Sequence, residues 1–169
     1  MIVQIKTDPD FQTLKRPEYQ GDAGYDLVSY KEPEIVGTKK KNSKTLFESI
    51  DYIQYDTNVC IAPLDSFYAQ IYPRSSVSKY NLALANSVGV VDSGYRDTIK
   101  LRFKYIVQPS DLVVQDGKVY TKINQEKIYQ RGDKIGQLIW MTHFHPHVEF
   151  SIQLPPSERG IGGFGSTGV

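Results

Sequence analysis

The eleven residues Arg159–Val169 (RGIGGFGSTGV) combine five glycines with an arginine, a phenylalanine and a Ser–Thr pair. Glycine lets backbone N–H groups approach phosphate oxygens closely, hydroxyl groups add donors, and arginine pairs with phosphate through a forked geometry. A tail without a role would rarely hold one aromatic residue and one arginine among glycines. We therefore predict that this segment binds a phosphorylated ligand. Because glycine loses the most backbone entropy on ordering, we expect the segment to be mobile until that ligand binds.

A second candidate for phosphate binding is Pro73–Arg74–Ser75–Ser76, which lies between a predicted strand and a predicted short helix, Ser75–Leu82. A helix N-terminus presents free N–H groups and the positive end of the helix dipole, which suit a phosphate. The alternative is that Ser75 or Ser76 only caps the helix. The pattern alone leaves both interpretations open.

The segment Asn86–Arg96 (NSVGVVDSGYR) places a carboxylate, Asp92, in a predicted tight hairpin turn, with Tyr95 directly after it. Gly89 precedes two valines and indicates a strand that another group approaches closely. An aspartate before Ser–Gly is commonly a turn residue, so Asp92 is either that or a carboxylate held at a site. The segment is therefore a place where acid–base chemistry is possible.

Two further groups of polar residues lie in apolar or alternating surroundings. Asp26, in the sequence AGYDL, would face inward and requires a partner or solvent. His143, His145 and His147 would share one face of a strand, and three imidazoles could bind zinc or nickel. The alternative is a surface or interface strand, which Pro146 favours because proline interrupts the hydrogen-bond ladder.

These residues are spaced along a chain whose apolar pattern predicts mainly short strands. Thr98–Val107 alternates strictly, with apolar residues on one face and lysine or arginine on the other. Other predicted strands are Met1–Lys6, Asp56–Ala62, Phe67–Tyr72, Leu112–Val114, Val119–Ile123 and Gln137–Thr142, of which the second and third form a hairpin around Pro63–Ser66. The twelve tyrosines and the many short runs between turn residues predict an all-β barrel or sandwich with one short helix.

Two stretches are longer than a small barrel requires. Glu32–Ser49 contains the basic run Lys39–Lys41, which we interpret as a solvated loop. Ser110–Gln130 contains Asp116–Gly117, a dipeptide that predicts a tight hairpin turn.

Composition limits the classes of function. A chain of 169 residues fits one domain, and a formal charge of +1 argues against duplex nucleic acid as the main partner. Cys60 is the only cysteine, which excludes an intrachain disulfide and is typical of a reducing compartment. The first twenty residues carry charges throughout and lack the apolar run of a signal peptide, and no stretch approaches a membrane span. We expect a soluble, cytoplasmic protein, or one of the host cytoplasm if the chain is viral.

Five segments taken together resemble the five ordered motifs of the trimeric all-β dUTPases. They are AGYDL around Asp26, Pro73–Ser76, Asn86–Arg96, Arg131–Leu138 (RGDKIGQL) and the glycine-rich tail. The order is that of the family and the resemblance covers nearly the whole chain. Any one motif would be weak evidence, whereas five in order are specific.

The chain departs from the family pattern at a few positions. Asp97–Thr98 stand where the family usually has Gly and Glu, Ser76 replaces a common glycine, and Lys134–Ile135–Gly136 replaces Arg–Ile–Ala. The candidate catalytic side chains are intact, although the geometry after Tyr95 differs from the usual pattern. The resemblance does not explain the two longer stretches.

The resemblance implies a distorted jelly-roll β-barrel, residues 1–156, with a flexible glycine-rich arm, 157–169, that closes over an active site. It implies a homotrimer in which each site takes its third motif from one subunit, its first, second and fourth from another, and its fifth from the remaining one. The activity implied is hydrolysis of dUTP to dUMP and pyrophosphate by water attack at the α-phosphorus.

The resemblance also implies roles for individual residues. Asp92 would orient and deprotonate the attacking water, and Asp26 would hold a water of a Mg²⁺ ion carried mainly by the triphosphate. The uracil and the deoxyribose would contact Asn86, Gly89, Val91 and Tyr95, with Tyr95 excluding a 2′-hydroxyl. The phosphates would contact Arg74, Ser75, Ser76, Gln137, Arg159, Gly165, Ser166 and Thr167, and Phe164 would stack on uracil.

Alternative functions remain open at this point. The same-fold dCTP deaminases share the Arg–Ser–Ser feature but resemble neither the tail nor the approach to Asp92. The helical dUTPases need paired acidic motifs on helices, and the only such spacing here, Glu48 and Asp51, is not in a helical pattern. Some family members also bind regulatory proteins, and the two longer stretches are the candidate platforms for such a partner.

Overall fold

The computed structural model describes residues 2–158 and 160–161, which form thirteen strands and three short 3₁₀-helices. The strands are β1 (Gln4–Lys6), β2 (Leu14–Lys15), β3 (Tyr25–Val28), β4 (Glu34–Lys39), β5 (Leu46–Asp56), β6 (Cys60–Ala62), β7 (Phe67–Tyr72), β8 (Leu82–Leu84), β9 (Gly89–Val91), β10 (Lys100–Tyr105), β11 (Leu112–Gln115), β12 (Lys118–Lys122) and β13 (Lys134–Thr142). The 3₁₀-helices are η1 (Ser75–Lys79), η2 (Pro109–Asp111) and η3 (Gln125–Lys127).

Two antiparallel sheets contain most of the strands. The six-stranded sheet has the order β11-β12-β5-β10-β8, with β4 also paired to β5. The five-stranded sheet has the order β2-β3-β13-β7-β9, and β1 pairs with β6 in a two-stranded sheet. Their apolar faces share one hydrophobic core, to which Leu27, Ile71 and Leu138 contribute from one sheet and Ile53 and Phe103 from the other.

The alternating pattern of β10 shows why these segments form strands. Leu101 and Phe103 are buried, while Lys100, Arg102 and Lys104 between and beside them are exposed. The Phe103 ring packs edge-on against Tyr55 and Tyr129 at centroid distances of 5.6 and 5.7 Å. The predicted strand Thr98–Val107 is therefore confirmed over Lys100–Tyr105.

The predicted hairpin between Asp56–Ala62 and Phe67–Tyr72 is wrong. Asp56 is the last residue of β5, while β6 pairs with β1 and β7 pairs with β13 and β9. The turn at Pro63–Ser66 is real, since the Phe67 amide donates to the Leu64 carbonyl, but it carries the chain from one sheet to another. Local turn residues specify that the chain reverses, and the choice of sheet is made by distant strands.

The predicted helix Ser75–Leu82 is a five-residue 3₁₀-helix, η1, and the described chain contains no α-helix. Its N-cap is Arg74, which makes no side-chain capping hydrogen bond, so neither Ser75 nor Ser76 is the cap that the sequence predicted. A single short 3₁₀ segment has only a weak dipole. The helix dipole therefore no longer supports the prediction that a phosphate binds at Pro73–Ser76.

The two longer stretches form hairpins. Glu32–Ser49 supplies β4 and the first part of β5, so the lysine run lies where these two strands are joined and is not a long loop. Ser110–Gln130 supplies β11 and β12, joined at Asp116–Gly117, where both residues have positive φ (52° and 70°). That conformation is the type I′ turn predicted from the dipeptide.

In the described part of the chain, no helix has the length and apolar character needed to cross a membrane.

Candidate active site

A cavity of about 420 Å³ opens between the two sheets beside Asp92, and we call it the Asp92 cavity. It is lined by Ile71, Leu84, Ala85, Asn86, Gly89, Val90, Val91, Asp92, Tyr95, Ile99, Lys100, Leu101 and Arg102. Five residues predicted from the sequence for base and sugar binding or for catalysis are therefore brought together: Asn86, Gly89, Val91, Asp92 and Tyr95.

The connection from β8 to β9 shapes one wall of the Asp92 cavity. β8 pairs with β10 in one sheet and β9 pairs with β7 in the other, so the connection crosses between sheets. Ser87 in this turn has a φ of 59°, a left-handed conformation that few non-glycine residues adopt. At Gly89 an added Cβ would lie 3.1 Å from Ile71 Cβ and 3.4 Å from Asn86 Nδ2, so glycine permits the close approach that the sequence indicated.

Asp92 and Tyr95 are held by a β-turn. The Tyr95 amide donates to the Asp92 carbonyl at 3.1 Å, which confirms the turn at Asp92–Ser93–Gly94. The turn does not close a hairpin, because β9 and β10 belong to different sheets. Asp92 is exposed, and Tyr95 is 42% exposed as a residue, with its hydroxyl donating to the Thr98 carbonyl at 3.1 Å. A carboxylate and an aromatic face are thus both available to a ligand in the cavity.

A second cavity, of about 410 Å³, lies at the ends of β3, β7 and β13, and we call it the Asp26 cavity. It is lined by Arg16, Pro17, Glu18, Asp22, Ala23, Gly24, Asp26, Arg74, Lys134, Gln137 and Ile139. The Asp26 and Asp92 cavities share no lining residue.

Strand register brings the polar side chains of the Asp26 cavity together. Gln137 on β13 lies opposite Asp26 on β3 and opposite Tyr72, the last residue of β7, two positions before Arg74. Gly24 leaves room for the amide of Gln137, since a Cβ there would lie 2.9 Å from Gln137 Oε1. An anion entering the cavity would meet this amide and two cations of the strand ends, Arg74 and Lys134, while Arg16 and the carboxylates of Glu18 and Asp22 also line the cavity.

Asp26 is paired with both cations. Its Oδ1 accepts from Arg74 Nη1, and its Oδ2 lies 2.7 Å from Lys134 Nζ. The Asp26 side chain is only 17% exposed, as the sequence predicted for an inward-facing carboxylate. The partners that such a buried charge requires are Arg74 and Lys134.

The remaining predicted site residues do not line either cavity or are not described by the structure. Ser75 and Ser76 follow Arg74 in η1 but do not line either cavity. Arg159, Phe164, Gly165, Ser166 and Thr167 lie outside the residues that the structure describes.

Several lining residues were missed from the sequence. Lys134 was noted only as a departure from the family pattern, although its ammonium group contacts Asp26. Arg16, Glu18 and Asp22 also line the Asp26 cavity. The signal that could have found them is the density of charge just before Asp26, where the segment RPEYQGDAGYD carries one arginine, one glutamate and two aspartates.

The residues of the Asp26 cavity fit a magnesium ion that a triphosphate brings with it. Among the described residues no group of three or more His, Cys, Asp or Glu side chains is arranged to hold a metal ion. Mg²⁺ retains several waters and is commonly bound by one or two carboxylates together with substrate phosphates. Asp26, beside the cations Arg74 and Lys134, is a carboxylate of the kind that this donor set requires.

The three histidines do not converge on a metal site. Nε2 of His143 and Nε2 of His145 are 2.8 Å apart, whereas His147 lies beside Glu149 at 3.7 Å. This segment follows β13 and is largely exposed, in agreement with the surface or interface alternative.

Comparison with known proteins identifies the family. The family model described as dUTPase matches residues 12–118. The deoxyuridine 5'-triphosphate nucleotidohydrolase of Rickettsia rickettsii (strain Sheila Smith) is 35% identical over 156 residues, which cover 90% of this chain and 88% of that protein. This chain belongs to the dUTPase family. The enzyme of the same name from Clostridioides difficile is 31% identical over 167 residues, 98% of this chain and 97% of that protein.

Solved structures of the family share the fold. The Staphylococcus bacteriophage 80alpha dUTPase in complex with dUPNHPP superposes with a TM-score of 0.71 at 22% identity and covers 99% of both chains. A mutant dUTPase from phage phi11 of S. aureus, described with a structural Mg(II) ion, has a TM-score of 0.63 at 18% identity, covering 90% of this chain and 98% of that one. The predicted jelly-roll β-barrel is confirmed by this likeness and by the nearly all-β content.

Proposed function

We propose that this chain is a dUTP diphosphatase, which hydrolyses dUTP to dUMP and pyrophosphate by water attack at the α-phosphorus. The observation that carries the proposal is the convergence of Asn86, Gly89, Asp92 and Tyr95 on one cavity of about 420 Å³, a size suited to a nucleoside. The named relatives support the choice of a deoxyuridine triphosphate as substrate.

Uracil enters the Asp92 cavity beside the β8–β9 connection, where backbone groups of Asn86–Val91 act as donors and acceptors. The close packing of Gly89 against Ile71 and Asn86 supports this role, because it holds the backbone of the connection against the cavity wall. Tyr95 packs under the deoxyribose and rejects a ribonucleotide by steric exclusion of the 2′-hydroxyl.

Asp92 orients a water molecule in line with the α-phosphorus and accepts its proton. An exposed aspartate is a modest base, so positioning supplies most of the effect. Asp92 lies in a β-turn at the rim of the cavity. Its carboxylate can therefore reach the α-phosphate where the triphosphate extends out of the base-binding region.

The triphosphate binds the cations of the Asp26 cavity. Arg74 and Gln137 contact the α- and β-phosphates, with Ser75 and Ser76 adjacent in η1. Mg²⁺ would be held by phosphate oxygens and waters, one of them bound by Asp26, and would neutralise charge on the phosphates. Because Asp26 is already paired with Arg74 and Lys134, the anion takes over part of the charge pairing of these cations when it binds.

The active enzyme is a homotrimer with shared sites. Two features support this assembly: the Asp92 and Asp26 cavities have no residue in common, and the segment after β13 extends with its apolar side chains exposed. Phe144, Phe150, Ile152 and Leu154 are each at least 87% exposed in the single chain. Such a segment would bury these groups against a neighbouring subunit.

The proposed roles of the domain and of the C-terminal arm follow from the same trimeric assembly. Residues 1–156 act as one domain, and residues 157–169 form an arm that closes over a neighbour's site, where Arg159, Ser166 and Thr167 bind the γ-phosphate and Phe164 covers uracil. Gly165 lets the backbone approach the phosphate. The protein acts in the cytoplasm, where its nucleotide substrate is found.

Pyrophosphate release from dUTP, dTTP, dCTP and UTP, each with and without Mg²⁺, tests the proposal. We expect release from dUTP only, strongly reduced when the metal is chelated. Ammonia release from dCTP would instead assign the chain to the deaminases of the same fold, and no turnover of dUTP would contradict the proposal.

A further inference from the structure

The hairpin formed by β11 and β12 exposes an apolar face that the nucleotide sites do not use. Leu112, Val114 and Val119 are 48%, 71% and 60% exposed. Val114 lies directly opposite Val119 in the ladder, and Leu112 is two residues along β11, so all three side chains share one face. This face of the hairpin, which we call the outer face because it extends beyond the core on the side of the sheet that carries Phe47, is an unpaired aliphatic surface in the described chain.

β11 is also the outermost strand of the six-stranded sheet among the described residues. In a hairpin with a two-residue turn, the residues flanking the turn, here Gln115 and Lys118, form a hydrogen-bonded pair, and pairing then alternates along the ladder. Val114 and Leu112 consequently occupy non-hydrogen-bonded positions relative to β12. The N–H and C=O groups of Val114 and the C=O group of Leu112 therefore point away from the hairpin, toward the open edge, whereas the Leu112 N–H donates to the Pro109 carbonyl.

The edge strand is short, but it lacks the charges, proline and bulges that usually prevent pairing. β11 has the sequence LVVQ, with no charge and no proline, and its register with β12 is regular. By contrast β4, which pairs only with β5, carries Glu34 and Lys39 at its ends and has two register shifts. Natural edges are commonly protected by such charges and bulges, so β11 is suited to accept a strand.

The opposite face of the hairpin is basic. Lys118 lies opposite Gln115 in the ladder and shares its side of the hairpin, whereas Lys39 lies over the Phe47 ring on the other side. A groove of about 500 Å³ on this side is lined by Lys40, Lys41 and Lys122 together with Val113 and Gln115 of β11. Lys40 Nζ lies 2.6 Å from Gln115 Oε1, 3.2 Å from Asp116 Oδ2 and 4.9 Å from the Tyr120 ring centroid, so this cation is fixed at the hairpin and is paired with its one carboxylate.

We propose that the β11 edge binds an extended acidic segment of a partner protein, which adds a strand to the sheet. Side chains of an added strand alternate between the two faces. Those on the outer face would continue the surface of Leu112, Val114 and Val119 and should be aliphatic. Those on the other face would lie beside the lysines and should be aspartate or glutamate.

A second copy of this chain is a poorer occupant than an acidic segment. Pairing of two β11 strands would bring the lysines of two such grooves, Lys40, Lys41 and Lys122 in each copy, toward one another, and like charges repel. Nucleic acid would match the lysines but offers neither an alternating aliphatic face nor backbone groups for the strand edge. The proposal is independent of the nucleotide chemistry, since no residue of the hairpin lines the Asp92 or Asp26 cavity.

The test uses the whole protein and a fluorescent peptide with alternating valine and glutamate, measured by anisotropy. Val114→Pro removes an outward-pointing N–H while leaving the β11–β12 ladder intact, and Val114→Thr is the matched control that keeps the N–H. We expect Val114→Pro to weaken binding at least about tenfold and Val114→Thr to bind as wild type, with dUTP hydrolysis unchanged in both. A valine–lysine peptide should bind at least about tenfold more weakly than the valine–glutamate peptide.

A second variant keeps the test decisive if Val114→Pro disturbs the hairpin. Lys118 and Lys122 are exposed, so Lys118→Glu/Lys122→Glu should fold normally and should reverse the preference between the two peptides. Equal binding of both peptides, undiminished binding by Val114→Pro, or no binding of either peptide at low salt would overturn the proposal. Tighter binding of a single-stranded oligonucleotide, or self-association through β11 that the glutamate peptide does not compete, would overturn it in favour of those occupants.

Discussion

The proposed chemistry depends most strongly on Asp92. If Asp92 positions the attacking water, Asp92→Asn should bind a non-hydrolysable dUTP analogue nearly as well as wild type. Its kcat should fall at least about a hundredfold, the size expected for the loss of a positioned general base. Calorimetric titration with the analogue and a steady-state assay measure the two quantities. A near-normal kcat would reduce Asp92 to a turn residue, which the hydrogen bond from the Tyr95 amide to its backbone carbonyl would still explain.

A second residue-scale prediction concerns the core and pH. Tyr129 is almost fully buried, and burial raises its pKa to about 12, while the nearby Ser76 hydroxyl opposes the rise without reaching hydrogen-bond geometry. Because this pKa is higher in the folded than in the unfolded chain, the associated stability is present below about pH 10 and is lost as the pH rises toward 12.

Tyr129→Phe should therefore move the midpoint of alkaline unfolding to higher pH. At pH 8 its free energy of unfolding should stay within about 1 kcal/mol of wild type or rise, since the buried hydroxyl has no partner in the described chain. Circular dichroism during a pH titration measures the midpoint. Tyr19→Phe, at a residue 68% exposed, is the control and should leave the midpoint unchanged; an unchanged midpoint for Tyr129→Phe would contradict the account.

At the scale of elements, the glycine-rich arm is predicted to serve catalysis and not the stability of the fold. Deletion of the residues after Glu158 should leave the assembly and its thermal midpoint nearly unchanged, because the segments next to it pack little against the described core. Turnover of dUTP should collapse, since the γ-phosphate would lose Arg159 and water would reach the site. Light scattering, calorimetry and pyrophosphate release measure these effects. A truncated chain with wild-type kcat would exclude a role of the arm in closing the site.

The sequence predicted element types better than the pairing of elements. Strict alternation in Thr98–Val107 and the Asp116–Gly117 turn were correct because the period-2 pattern and type I′ geometry are local properties. The β6–β7 hairpin failed because β6 pairs with β1, far away in sequence, and no local signal reports such a partner. The 3₁₀ character of η1 was equally hidden, since a serine-rich start is compatible with either helix type.

The candidate site shows the same limit. Asn86, Gly89 and Asp92 were predicted from a motif in which spacing fixes a local conformation. Lys134 was missed because its contact with Asp26 depends on the register between β13 and β3, including the irregularity between Lys134 and Gly136. Charge pairing across strands is a property of register, which one sequence does not display.

At the scale of the whole molecule, each site is proposed to combine residues from different subunits. Mixed trimers of chains truncated after Glu158 and chains with Asp92→Asn should regain part of the activity that each parent lacks. Some sites would then combine an intact Asp92 from one chain with an intact arm from another. Native mass spectrometry confirms mixing and a pyrophosphate assay measures the rescue; confirmed mixed trimers with no activity above the parents would exclude sites shared in this way.

The most direct test of the central claim is hydrolysis of dUTP in ¹⁸O-labelled water with Mg²⁺, followed by mass analysis of both products. Attack of water at the α-phosphorus places one ¹⁸O atom in dUMP and none in pyrophosphate. We predict this pattern for the wild-type protein. Label found in pyrophosphate, or failure to convert dUTP to dUMP, would contradict the assignment of this chain as a dUTP diphosphatase.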